Sequence, residues 1–196
     1  MSINLGPKIG LSGRYTLEVL RAGEVTQRES FDNLITDWGL NRLGATSGYG
    51  TSFTGCCVVG SGNTPAMVSD LGLVNKLNTS ASDSPSATYV YLGAGQNHGS
   101  KYTKVYTFPL GAVVGNVAEV GVADTNTSNL FSRALVVDSE GLPTVVTVLA
   151  EEMLRVTYEL TVYPPLGDAT GTFTLAGVTY NYTLRAAYVI DPRYWV

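Results

Sequence analysis

Polar and apolar positions alternate most regularly in the run Met153–Tyr163. Leu154, Val156, Tyr158, Leu160 and Val162 fall on one side, and Arg155, Thr157, Glu159 and Thr161 on the other. A period of two is the signature of a strand with one face buried and one solvated. Upstream, residues 130–137 and 145–149 are short apolar runs separated by Asp-Ser-Glu-Gly-Leu-Pro, whose Gly and Pro suit a turn. The three runs together predict an antiparallel meander, stopped at Pro164 and Pro165, which cannot donate ladder hydrogen bonds.

Residues 14–20 and 24–31 alternate around Arg21-Ala22-Gly23 and predict a β-hairpin with glycine at a positive φ. Tyr15, Leu17 and Val19 would face its core. Leu34, Trp38 and residues 40–43 recur at helical spacing, with Asn33 or Thr36 as cap and Gly44 as stop. So short a helix is marginal alone, and Trp38 is expected to dock it on the sheet. Cys56 to Val59 reads as a buried strand, and Asn63-Thr64-Pro65 turns the chain toward a second short helix from Ser69 or Asp70 to Leu77. Residues 78–87 read as an exposed loop and Thr88–Leu92 as a strand. In 102–109, Tyr102, Lys104, Tyr106 and Phe108 share a face, which places Lys104 at a sheet edge, and this strand is expected beside 117–122. A last hairpin turns at Ala176-Gly177, with Phe173, Leu175, Val178, Tyr180, Tyr182 and Leu184 as buried candidates.

These elements predict a mainly β protein, an antiparallel β-sandwich or open barrel with two short helices. Residues 14–190 form one β-rich domain in this reading, between an N-terminal arm, 1–13, and a C-terminal aromatic tail, 191–196. Tyr194, Trp195 and Val196 in that tail are candidate subunit contacts. A chain of 196 residues builds a core without metal or disulfide staples. Cys56 and Cys57 are adjacent, and bridging sequence neighbours needs a geometry foreign to strands, so two buried thiols are expected. No cofactor is expected.

A net charge of −4 with 12 Lys plus Arg, nowhere clustered, argues against a nucleic-acid partner. Charged residues make up 14% of the chain, low for a fully solvated surface, so neighbouring subunits are expected to cover part of it. No apolar run reaches the ~18 residues of a membrane span, and no secretory signal precedes the first strand. The sequons at Asn78, Asn126 and Asn181 carry no weight without such a signal.

The run NLFSRALVVDSEGLPTVVTVLAEEMLRVTYELTVYPP, residues 129–165, resembles the C-terminal half of small virion proteins of tailed bacteriophages, described as tail, tail-fibre or general structural proteins. FDNLITDWGLNRLG at 31–44 and VGSGNTP at 59–65 resemble the same group, in the same order and spacing. The resemblance implies a virion structural protein, assembled in the host cytoplasm with copies of itself and with other tail or head proteins. It does not distinguish tail, fibre, collar and head.

Chemistry is sparse. The one histidine, His98, lies in a Gly-rich stretch and cannot build a His-based metal site, and no Ser or Cys sits in a nucleophile elbow. GSGNTP follows a strand as a phosphate loop would, but lacks the Gly-Lys-Ser/Thr that balances phosphate charge. Glycan hydrolysis needs two acids about 5–9.5 Å apart. The candidates are Glu151 with Glu152, Asp138 with Glu140, and Asp124, all in expected turns where acids are ordinarily solvated. Twelve tyrosines and Gly/Ser/Asn loops suit a surface contacting host glycan or protein, although sheets use tyrosine heavily anyway. Glu119 and Arg133 interrupt the apolar runs VAEVGV and LFSRALVV, expected antiparallel neighbours, and are predicted to form a structural ion pair. No catalytic residue is assigned.

Overall fold

The computed structural model describes residues 10–44, 54–81, 88–92, 99–124, 129–163 and 167–184. Residues 1–9, His98, Pro164 and Pro165, and the tail with Tyr194, Trp195 and Val196 lie outside them. The chain divides into two compact units, one of residues 13–88 and 103–159, the other of residues 1–12, 89–102 and 160–196.

The protein is mainly β, with antiparallel sheets, none of which closes into a barrel among the described residues. Strands β1 (Gly10–Arg21) and β2 (Glu24–Asp32) form the expected hairpin. Its two-residue turn holds both Ala22 (φ 51°) and Gly23 (φ 88°) in the left-handed region that matches strand twist. β1 starts at Gly10, so residues 10–13, expected in the arm, belong to a strand. Tyr15, Leu17 and Val19 are buried as expected. The hairpin joins β12 (Met153–Tyr163), β7 (Gly99–Phe108) and β6 (Thr88–Leu92) in a five-stranded sheet of order β2-β1-β12-β7-β6. Alternation along β12 buries Leu154, Val156, Tyr158 and Leu160.

A second five-stranded sheet has the order β3-β10-β9-β4-β5, from β3 (Leu34–Ile35), β10 (Leu130–Leu135), β9 (Glu119–Ala123), β4 (Cys56–Gly60) and β5 (Lys76–Ala81). The two sheets meet through aromatic side chains. Tyr15 Oη lies 2.7 Å from Ser132 Oγ, the Tyr15 and Tyr158 rings are 5.0 Å apart, and Phe131 meets Tyr158 edge-on at 6.4 Å. A β-bulge between Leu130 and Ser132 turns both Phe131 and Ser132 toward this layer. Leu130 packs instead with Cys56, Val58 and Ala123. Cys56 and Cys57 are free, buried thiols, as expected.

Several expectations are overturned. The meander does not form, because β10, β12 and β11 (Val146–Val148) enter three different sheets, β11 pairing with β8 (Gly115–Val117). Every residue of β4 and β9 is buried, which suits the centre of a sheet covered on both faces rather than a half-solvated meander. β9 lies between β10 and β4, and β7 lies between β12 and β6 instead of beside β9. Lys104 is thus not at an edge. It is 8% exposed, and its Nζ donates to the Thr54 carbonyl at 2.8 Å.

Only one α-helix is present among the described residues, α1 (Asp37–Gly44). Leu34, expected in its first turn, pairs in β3 with Arg133 instead. Thr36 caps the helix, its hydroxyl accepting the Gly39 amide at 3.0 Å. Gly39 docks the helix, buried against the Phe131 carbonyl, and Trp38 is half-buried with the Arg42 guanidinium 5.8 Å from its ring centroid. The second helix is absent. Residues 61–75 run as turns and bends, and β5 takes up both the end of the expected helix, 76–77, and residues 78–81, expected in a loop. The C-terminal hairpin, β13 (Ala169–Leu175) and β14 (Val178–Leu184), turns at Ala176-Gly177 as expected. Its apolar side is not core, however, since Leu175, Val178 and Tyr180 are 46%, 53% and 44% exposed. A two-stranded sheet has no second layer of its own to cover that side.

Candidate functional site

β9 and β10 pair so that Glu119 stands opposite Leu135 and Arg133 opposite Gly121. Glu119 and Arg133 are therefore diagonal neighbours on one face of the second sheet. Arg133 Nη2 and Nε reach Glu119 Oε2 at 2.8 and 3.1 Å, with both side chains buried. Two charges out of water are tolerated only when every donor and acceptor is matched. Here they are. Arg133 also donates from Nη1 to Asp70 Oδ2 at 2.6 Å and to the Pro65 carbonyl at 3.4 Å, and from Nη2 to the Thr64 carbonyl at 2.8 Å. The guanidinium's five N–H groups are all engaged.

The carboxylate is equally occupied. Glu119 Oε1 accepts the amides of Gly62 at 3.0 Å and Asn75 at 2.8 Å, and Oε2 accepts that of Val74 at 3.1 Å. The Gly62 amide of GSGNTP and the amides of Val74 and Asn75 thus form an anion-binding site whose anion is the protein's own glutamate. Gly60 and Gly62 make it possible, because a Cβ on either would overlap Glu119 Oε1. These contacts also explain the missing helix. The amides of Val74 and Asn75 are drawn to Glu119, so neither is left for an i−4 carbonyl, and the Met67 amide goes to Asp70 Oδ2 at 2.8 Å.

Burial alone would raise the Asp70 carboxyl, but the Met67 amide and the Arg133 guanidinium outweigh it and hold the group below the usual carboxylate range. The loop is fastened to its surroundings as well. Asp37 N donates to Val68 O at 2.8 Å, at the start of α1, and Leu130 N donates to Leu71 O at 3.1 Å.

Glu151, Glu152 and Asp138, considered for glycan hydrolysis, are used in structure. Arg21 bridges Glu151 at 3.2 Å and Glu152 at 3.1 Å. Glu152 is buried rather than solvated, and its Oε2 accepts the Leu149 amide at 2.9 Å, closing the turn before β12. Asp138 Oδ1 accepts the amides of Glu140 and Leu142, each at 2.9 Å. Asp124 is buried at the end of β9, where its carbonyl receives the Cys56 thiol at 3.1 Å. Among the described residues no cluster of His, Cys, Asp and Glu could hold a metal, and no helix is long and apolar enough to cross a membrane.

Burial pushes the Cys57 thiol well above its ordinary value, with the neighbouring Cys56 adding to the effect. Cys56 is raised by burial and by Asp124. Burial lowers the ammonium of Lys104.

Of the residues in this cluster, sequence reasoning placed Glu119 and Arg133 but took Asp70 for a helix cap and Thr64 for a turn residue. The available signal was the pairing of a glycine-rich turn with a lone acid in an apolar strand. Fold and cluster define a mainly β protein whose buried charges hold a long loop on a sheet. No family model, curated protein or solved structure matches this chain.

Proposed function

We propose that this chain is a non-enzymatic structural protein of a tailed-bacteriophage virion, a homo-oligomeric component of the tail or of its fibre attachment, built on an antiparallel β-sandwich. One observation carries the reading. The three stretches that resemble phage virion proteins, 31–44, 59–65 and 129–165, are far apart in sequence yet converge on β10. From the first, β3 pairs with β10 and α1 packs on the Phe131 carbonyl; from the second, Thr64 and Pro65 accept from Arg133. Parts of all three stretches thus pack together around β10. The saturated Glu119 carboxylate, with no lone pair turned to solvent, supports a structural role over an acid–base one.

Density for the intact particle tests the proposal, because a ring, a three-fold fibre and a capsid lattice are mutually exclusive placements. Purified particles that lack the chain would overturn it. Turnover of host polysaccharide by the pure protein, abolished by Glu152→Gln, would replace it with a depolymerase.

A receptor- or glycan-binding fibre component is the second reading. It is favoured by Phe173 and Tyr180, which stack at 5.3 Å on an exposed hairpin among Thr and Asn side chains. The same density separates both readings from a head decoration or head-to-tail connecting protein.

A further inference from the structure

From Ala169 to Leu184 the hairpin β13–β14 carries no charged side chain. Its register puts Phe173 opposite Tyr180 and Leu175 opposite Val178 on one face, and Thr174 opposite Thr179 and Thr172 opposite Asn181 on the other. The sheet has two strands, so both outer edges lack a further strand among the described residues. Two-stranded hairpins are marginal in water, and exposed edges are ordinarily blunted by Lys, Pro or a bulge. This hairpin has none of those, and its seven pairs run without a register shift.

We infer that β14 is a self-association edge, pairing antiparallel with β14 of a second copy of this chain to make a four-stranded sheet. The inference rests on the homo-oligomer proposed above. Charge selects the occupant: a partner bearing Lys, Arg, Asp or Glu would lose their hydration against a surface that offers no counter-charge, whereas a second copy brings the same uncharged surface. Exposure selects the strand, because β14 is open along most of its length while β13 alternates with half-buried positions. The hydrogen bonds are available too. A two-residue turn makes Leu175 and Val178 a bonded pair, so Thr179 and Asn181 fall at non-bonded positions and aim their N–H and C=O groups outward. A two-fold pairing would join the Val178 and Tyr180 faces of both copies into one apolar surface.

Sedimentation velocity of the full chain over a range of concentrations tests this, with a melting curve for each variant to show that the fold persists. Asn181→Pro removes an outward donor without touching the bonds inside the hairpin. Val178→Lys with Tyr180→Lys charges the apolar face. Both should weaken association by about tenfold or more, while Thr172→Pro, on the outer edge of β13, should leave it unchanged. Variants that associate like the wild type would overturn the hairpin contact and leave the homo-oligomer intact through another surface. Loss of association in Thr172→Pro as well would overturn the assignment to β14. A wild-type chain that stays monomeric at high concentration would overturn both this inference and the homo-oligomer beneath it.

Discussion

Gly62 donates its amide to Glu119 Oε1 at 3.0 Å and lies so close to that oxygen that any side chain at position 62 would displace it. Replacing Gly62 with Ala should therefore act on Glu119, by pushing a buried carboxylate off three amides and a guanidinium. A loss of about 1–3 kcal/mol is expected from the overlap alone, read by urea denaturation. An unchanged midpoint would mean that the carboxylate is not held by this loop.

Arg133→Ala leaves the buried Glu119 carboxylate without a counter-charge, which costs roughly 3–5 kcal/mol, and Glu119→Ala, which leaves Arg133 its Asp70 partner, should cost less. The double variant should lose less than the sum, because the second substitution removes the charge stranded by the first. A double-mutant cycle with no coupling would contradict the geometry of β9 and β10.

Asp70 provides a pH test. Its folded pKa is held below the unfolded value of about 3.9, so its stabilisation is present above that value and fades as the pH falls through the folded pKa. Asp70→Asn should be less stable than the wild type at pH 7, and the gap should close below about pH 4. A gap that stays constant down to pH 2 would exclude the ionised Asp70–Arg133 pair as its source.

Gly39 reverses the ordinary sign of a helix substitution. Ala in place of Gly stabilises an exposed helix by about 1 kcal/mol, but here the new methyl would overlap the Phe131 carbonyl on which α1 rests. Gly39→Ala should destabilise the protein, with loss of helical signal in far-UV circular dichroism. Ala22 runs the other way, since its φ of 51° is strained for any residue with a Cβ. Ala22→Gly should raise stability by up to about 1 kcal/mol in thermal unfolding.

The thiols should report global opening. Both are buried and their pKa values are raised, so thiolate is scarce in the native state. Alkylation at pH 8 should track the unfolding rate, and rapid labelling of Cys57 in the folded protein would show that β4 is not the covered central strand described.

The sequence by itself determined the local half of this structure. Alternation in β12, β1 and β2 follows from side chains projecting to opposite faces of a strand, and the Ala-Gly turns at 22–23 and 176–177 follow from the positive φ that two-residue hairpins require. Thr36 was legible as a cap because its hydroxyl reaches an amide only three residues away. That Glu119 and Arg133 meet was legible because a polar loop joins their strands. Tertiary structure decided what depends on partners far away in the chain. Periodicity says that a strand has a buried face but not which sheet covers it, so β10, β11 and β12 read as one meander and entered three sheets. The segment 61–75 held helix-capping residues, yet a glutamate 44 positions beyond Asn75 claimed its amides first. A buried carboxylate must be satisfied wherever the fold leaves it, and that demand outweighed the weak helical propensity of the loop that met it.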